Sequence, residues 1–303
     1  MPIGRQANSL PHISILLNPA AGSYSPGVRA RLDHLLAGTP VIADILQSTD
    51  SDAEDLAHAA FNKGHDAVVA GGGDGTISSV ASALAGTDVP LGILPLGTWN
   101  HFAKDVGIPL RLEDAFETIL DGNTGRVDVG EVNGRTFLNN SSIGVYPHLV
   151  RFRVAHRRKG SGKWTAFALA LVAVFRRSRL LRVRLIVNQR ELVRKTPFLF
   201  VGNNEYDLSG GRARLDEGRL QVVVAHHKGR FGLLRSVFSA LVNRTKENRD
   251  FDVLRPTEFR IESRHRFLRV ALDGEVHKMK TPLNYRIRPG ALRVLIPRPD
   301  GDK

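Results

Sequence analysis

One stretch constrains this chain more than any other: Ala67-Val68-Val69-Ala70 runs directly into Gly71-Gly72-Gly73-Asp74-Gly75-Thr76. The four small and branched apolar residues read as a buried strand, and a purely structural turn seldom needs four glycines. Glycine admits positive φ and removes the Cβ that would keep a ligand oxygen away from the backbone. A helical pattern follows from about Gly75 to Leu84. The loop therefore leads into a helix N-terminus, whose unpaired N–H groups attract anions. Strand, glycine loop and helix in this order suit a phosphate.

The surroundings repeat the pattern. His12–Leu17 reads as a strand, followed by a Gly/Ser/Pro loop at 22–27 and a helix near Val28–Leu36. A second apolar run covers Val41–Leu46, and Ser51-Asp-Ala-Glu54 has the form of a capping box opening a helix that Gly64 stops. A fourth strand falls at Leu91–Leu94, and a helix at Leu112–Leu120. Strands alternating with helices predict an α/β domain with a doubly wound parallel sheet, whose ligands lie at the carboxyl ends of the strands. Past Gly125 the pattern changes to short strands: Arg126–Val132, Arg135–Asn139, Leu181–Val187, Glu191–Phe200, Leu220–Ala225, Phe259–Glu262, Phe267–Leu272 and Leu292–Ile296. These predict an antiparallel β-domain. A chain of 303 residues is long enough for both cores.

Two more loops share the character of the first. Asn18-Pro19-Ala20-Ala21-Gly22-Ser23 follows the first strand, and Pro95-Leu96-Gly97-Thr98-Trp99-Asn100-His101-Phe102-Ala103 follows the fourth. Either one alone is an ordinary turn. Three such loops at strand ends of one sheet are better explained by a single phosphate site. Asp74 is placed to act through Mg²⁺-bound water on a triphosphate, and Thr76 and Thr98 to donate hydroxyls.

The motifs Asn18-Pro-x-x-Gly22, Gly72-Gly-Asp-Gly-Thr76, Pro95-x-Gly-Thr-x-Asn-x-Phe-Ala103 and Asp273-Gly274-Glu275 resemble, in order and spacing, the bacterial soluble diacylglycerol/sphingosine kinase family. That resemblance implies an α/β nucleotide-binding domain like those of NAD kinases and phosphofructokinases, joined to an antiparallel β-sandwich. The expected division is 1–125 with a returning strand within 289–303 for ATP, and 126–288 for the lipid. The resemblance further implies ATP and Mg²⁺, with ATP over Asn18–Gly22, Gly72, Gly73, Asp74, Gly75, Thr76, Thr98 and Asn100, and with Thr49 as a further contact. It assigns the acceptor of the substrate hydroxyl proton to Glu275, with Asp273 as the competing choice. Asp273-Gly274 as a plain hairpin turn is the alternative. A structural Mg²⁺ site of the family would fall on Glu217 with the carbonyls of Arg214 and Arg219, although the family's usual residue there is the shorter aspartate. Gly160-Ser-Gly-Lys163 lacks the earlier glycine of a Walker A motif and reads as a basic loop. Ile77-Ser78-Ser79 stands where the family often has Leu-Asn-Glu, a feature NAD kinases use for substrate contact, and His101 stands where many members have aspartate.

The net charge of +13 calls for a polyanionic partner. Basic residues crowd the stretch from Arg151 to Lys195, opposed within it only by Glu191, and they flank the apolar segment Lys163–Phe175. That segment is too short to span a bilayer. Charge beside a short apolar helix suits the surface of an anionic membrane; ordinary core packing of the helix is the alternative. Only two tryptophans and four tyrosines are present, scattered, so the interleaving of aromatic and basic residues expected of a nucleic-acid binder is missing. The absence of cysteine excludes thiolate chemistry and disulfides. The start of the chain has no apolar leader pattern, so the expectation is a cytoplasmic protein peripheral at the inner membrane face. The competing readings are a kinase of a soluble substrate such as NAD, a basic nucleic-acid-binding protein, and a kinase-like sensor without turnover.

Overall fold

The computed structural model describes residues 11–144, 180–205, 215–225 and 251–298. The chain forms two compact units, one ending at Val127 and resuming at Gly290, the other spanning Asp128–Pro289.

The first unit is an all-parallel sheet with helical crossovers. Its strands are β1 (His12–Leu17), β2 (Ile42–Gln47), β3 (Ala67–Gly72) and β4 (Leu91–Pro95), completed by the C-terminal part of β16 (Leu283–Leu295). The order is β2-β1-β3-β4-β16, with Ile13 beside Ala67, Val68 beside Leu91, and Leu91 beside Val294. Strands β3 and β4 are buried along their whole length, as their unbroken apolar runs require of strands covered on both faces. The helices are α1 (Gly27–Ala37), α2 (Ala53–Asn62), α3 (Asp74–Leu84), α4 (His101–Asp105) and α5 (Leu112–Asp121). Helix α5 buries Leu112, Ala115, Phe116 and Ile119, one face at helical spacing, and ends at Gly122 with φ +64°. The α/β architecture is the one the alternating pattern predicts.

Two local expectations need correction. The Ser51–Glu54 capping box does not form: the N-cap of α2 is Asp52, and no side chain caps the helix. Ser51 Oγ instead lies 2.8 Å from Thr49 Oγ1, and Asp52 Oδ1 accepts the Thr49 N–H at 2.5 Å. Local side chain–backbone bonding has outcompeted the cap. The stretch after Asn100, read as loop, contains the single turn of helix α4.

The second unit holds two antiparallel sheets. One runs from the first part of β16 through β13 (Glu258–Ser263) and β8 (Leu181–Val187) to β9 (Arg190–Thr196), with β5 (Thr124–Val132) and β6 (Arg135–Phe137) attached. The other has the order β12 (Phe251–Leu254), β11 (Leu220–Ala225), β10 (Phe198–Asn203), β7 (Asn140–Gly144), β14 (Phe267–Leu272), β15 (Glu275–Lys280). One core joins residues of both sheets, among them Val183, Leu185, Ile261 and Tyr285 with Ile143, Val201, Val222 and Val270. The buried Tyr285 hydroxyl is satisfied by Ser141 Oγ at 2.9 Å, and burial makes it a much weaker acid than an ordinary tyrosine. The run Glu191–Phe200, read as one strand, is two, because proline at 197 cannot donate to a ladder.

The apolar helix expected at 163–175 and the basic residues from Arg151 to Arg179 lie outside the described residues. Among those described, the fold supplies acids that the linear reading did not count. Arg184 is 3.6 Å from Glu191 and 4.0 Å from Glu262, and Arg194 is paired with Asp252 at 2.7 Å. Arg182 and Lys195 are exposed and directly opposite each other in the β8–β9 register. No helix of the described residues is long and apolar enough to cross a membrane.

Candidate functional site

The three glycine-bearing loops of the first unit are knitted together by backbone contacts. The Ser23 N–H donates to Leu96 O at 2.8 Å, Asn18 N–H to Gly71 O at 2.8 Å, and Leu96 N–H to Gly72 O at 3.0 Å. The approach is close enough to require glycine at Gly97, where a Cβ would stand 2.5 Å from the Gly73 Cα. At Gly22 a Cβ would collide with Thr98 Oγ1. Loops after β1, β3 and β4 thus meet at the carboxyl end of the sheet, and glycine stands at Gly97 because backbones touch there.

Polar side chains lock this arrangement from beneath. Asn18, buried, donates from Nδ2 to Thr76 Oγ1 at 2.9 Å and to Asp50 Oδ1 at 2.8 Å, while Thr76 donates to the same Asp50 oxygen at 2.7 Å. Asn18 Oδ1 accepts the Ala20 N–H at 2.9 Å. Asn100 adopts the left-handed conformation, φ 51°, which asparagine tolerates better than most residues. Its amide is spent inside its own loop, accepting from Gly97 N–H at 2.9 Å and donating to the carbonyls of Pro95 and Gly97. Asn18, Thr76 and Asn100 therefore shape the loops, whereas Pro19, Ala20, Gly22 and Thr98 form exposed loop surface. Thr49, also exposed, is tied to Ser51 and Asp52 at the start of α2.

Gly73 is the N-cap of α3 with no side-chain cap, so the first-turn N–H groups of Asp74, Gly75 and Thr76 have no intrahelical acceptor. Asp74 Oδ1 accepts the Phe102 N–H of α4 at 3.3 Å. Burial pushes the nearby Asp105 carboxyl up to about 6; the Asp74 charge adds to the rise and His101 opposes it. His101 itself is exposed and stacked on Trp99, with ring centroids 6.1 Å apart and planes 8° from parallel.

In the second unit, Asp273-Gly274 is a two-residue hairpin turn between β14 and β15, with φ 45° and 95° and Leu272 paired to Glu275. Positive φ at both central residues is the geometry an Asp-Gly pair serves in tight hairpins. The Asp273 carboxylate accepts three backbone N–H groups, from Leu138 at 2.7 Å, Asn139 at 2.8 Å and Asn140 at 3.0 Å. Glu275 opens β15 half exposed, with His277 Nε2 at 3.8 Å. Burial, and then the Arg135 charge, hold the His277 imidazole below its ordinary range.

The Glu217 turn has Gly218 at φ 66°, its N–H donating to the buried Asp128 carboxylate at 2.7 Å. The Arg219 carbonyl accepts the Asn204 N–H at 3.1 Å; Arg214 lies outside the described residues. The side chains of Glu217, Arg219, Glu205 and Arg255 line one shallow pocket, in which Arg255 pairs with Glu205. Two arginines in the lining offset the charge of its two glutamates, which makes the pocket a poor site for a dication. Sequence reasoning missed Asp50, Asp105 and Asp128. Asp50 follows the second strand one residue after Thr49 and was visible as a carboxylate at a strand end; nothing local marks the other two.

Residues 12–132 match the Diacylglycerol kinase catalytic domain, and residues 149–296 match the YegS C-terminal NAD kinase beta sandwich-like domain. The chain is 30% identical over 302 residues to a "Diacylglycerol kinase" of Mycobacterium tuberculosis, covering 94% of this chain and 95% of that one. It is 31% identical over 262 residues to a "Probable lipid kinase YegS-like" of Citrobacter koseri, covering 81% and 83% of the two. A crystal structure of a diacylglycerol kinase from Bacillus anthracis superposes with a TM-score of 0.70 at 20% identity, over 96% of this chain and 98% of the other, a likeness of fold.

Proposed function

Because the chain belongs to the diacylglycerol kinase family of lipid kinases, we propose that it transfers the γ-phosphoryl group of ATP to a hydroxyl of a membrane lipid, with Mg²⁺ as cofactor. The observation that carries this reading is the knot of three glycine loops at the carboxyl ends of β1, β3 and β4, closed around the open N-terminus of α3. Backbone N–H groups and the macrodipole of an 11-residue helix favour a triphosphate there.

In this reading the first unit holds ATP and the second the lipid. The hydroxyl oxygen of the lipid attacks the γ-phosphorus, the bond from that phosphorus to the β–γ bridging oxygen breaks, and ADP departs. Glu275 accepts the hydroxyl proton late in the transfer, while Asp273 fixes the hairpin that presents it. Asp74 would hold Mg²⁺ through water, and the ion would neutralise charge on the triphosphate. Little covalent help is asked of the protein, so its contribution is positioning and charge.

Docking on an anionic leaflet is supported by the like-charged cross-strand pair Arg182 and Lys195, which a negative surface would relieve. The deciding experiment incubates the protein with labelled ATP, Mg²⁺ and a total lipid extract. A labelled phospholipid that vanishes in Asp74→Ala and Glu275→Gln is the expected result. Label transferred to NAD and to no lipid would replace the reading.

A further inference from the structure

Outside the loops just described, the first unit brings three metal-ligating side chains to one point. His12 opens β1, Asp44 lies within β2, and His65 sits two residues before β3. Their ligand atoms all lie within 4.8 Å of one another, the one such group of three or more found among the described residues. His65 Nε2 is 2.9 Å from Asp44 Oδ2, and His12 Nε2 is 3.3 Å from the same oxygen. The two imidazoles lie 4.2 Å apart between centroids, their planes tilted by 42°.

The protons decide what this cluster wants. His65 is 3% exposed, and its Nδ1 lies 2.9 Å from the carbonyl of Ala60, which can only accept. Nδ1 therefore carries the proton, and in neutral His65 the Nε2 lone pair points at a carboxylate oxygen. His12 Nε2 is buried and, despite its 3.3 Å approach to Asp44, makes no hydrogen bond. With His65 neutral, two ring nitrogens and a carboxylate oxygen thus converge on one point. A histidine donating its far N–H to a backbone carbonyl is also the usual second shell of a metal ligand.

We propose that His12 Nε2, His65 Nε2 and Asp44 Oδ2 form a binding site for a zinc-class transition-metal ion, with a fourth position open to water. Bonds of about 2.0–2.2 Å at tetrahedral angles separate neighbouring ligand atoms by about 3.3–3.6 Å; the His65–Asp44 approach of 2.9 Å would open by a few tenths of an ångström, and the His12–Asp44 approach of 3.3 Å already fits. Imidazole nitrogens select zinc-like ions over Mg²⁺. The site joins β1, β2 and the turn before β3 at the amino ends of the strands. The six residues of β1 put it roughly 16 Å from the carboxyl end, where the phosphate loops lie. The ion acts as a staple of the sheet, separate from the transfer chemistry, and its test is independent of the lipid-kinase reading.

Metal-free full-length protein is titrated with Co²⁺ and the visible d–d absorption of a tetrahedral ion is followed, then Zn²⁺ is added to displace it, with excess Mg²⁺ and with MgATP present in parallel. His12→Asn and Asp44→Asn serve as variants because both side chains are partly exposed; circular dichroism verifies their folding. One Co²⁺ per chain is expected, displaced by Zn²⁺, indifferent to Mg²⁺ and MgATP, and weakened at least ~10-fold in each variant. Zn²⁺ should raise the melting temperature of the parent and not of the variants. No absorption change with the parent, or equal Co²⁺ affinity in both variants, overturns the site. So does an NMR spectrum in which His65, with Zn²⁺ in excess, still carries protons on both ring nitrogens.

Discussion

Asp273 and Glu275 stand two residues apart in one hairpin and face different demands. Asp273 is consumed by three backbone N–H groups, and charge-assisted bonds of that kind contribute more than neutral ones. Asp273→Asn removes the charge and leaves N–H groups poorly matched, so a loss of about 1–3 kcal/mol in denaturant unfolding is expected. Glu275→Gln touches a half-exposed side chain and should leave stability within about 0.5 kcal/mol while lowering kcat by roughly 10²–10⁴-fold. The reverse assignment would show as a stable, inactive Asp273→Asn beside an active Glu275→Gln. A third carboxylate titrates oppositely to most. Burial raises Asp105 to about 6 in the folded chain, so between the ordinary aspartate range and 6 the folded state holds the proton more tightly. Its contribution is therefore favourable at low pH and is lost as pH rises through 6. Asp105→Asn should stabilise the protein near pH 8 by roughly 1 kcal/mol, discounted for the solvent that still reaches the group, and by less near pH 4. Melting curves across that range check it.

Among the elements, the loop after β3 and the strand end of β2 are fastened by one hydroxyl. Thr76→Val keeps the shape and deletes the donor to Asp50 and the acceptor for Asn18. A cost of about 1–3 kcal/mol is expected, with KM for ATP rising more than kcat falls; an unchanged KM would separate the Asn18–Asp50–Thr76 lock from nucleotide binding. In the β8–β9 hairpin, replacing both Arg182 and Lys195 by serine removes a like-charge pair. Stability should hold or rise by a few tenths of a kcal/mol, while cosedimentation with anionic vesicles weakens. Elements also divide by how readable they were. β3 and β4 announce themselves through unbroken apolar runs, whereas β15, Glu-Val-His-Lys-Met-Lys, has a charged or polar side chain at most positions and its place is set by the Asp-Gly turn before it. The capping box at Ser51 failed because Thr49 offered its side chain a nearer partner.

For the molecule as a whole, alternation of strand and helix in one half and short strands in the other was enough to foresee the α/β sheet and the β-sandwich-like unit. The glycine loops were legible because close approach, of backbone at Gly97 and of the Thr98 hydroxyl at Gly22, favours glycine at both. Asp105 and the His12–Asp44–His65 cluster were not, since each draws its meaning from partners 15 or more positions away, or from burial, that no local pattern encodes. The same holds for charge: an Arg-rich stretch looked nearly unopposed until the sheet brought Glu262 and Asp252 beside Arg184 and Arg194.

The return of the chain to its first unit at Gly290 has a consequence for synthesis on the ribosome. Strand β4, buried throughout, is flanked on one side by β3 and on the other by a segment translated only after the whole second unit. Until then the nascent sheet carries an unpaired, apolar edge, the kind that recruits neighbouring chains. A message truncated before codon 290 should therefore yield insoluble product even though most of the parallel sheet is encoded. Supplying the segment from Gly290 as a separate peptide during translation should recover part of it.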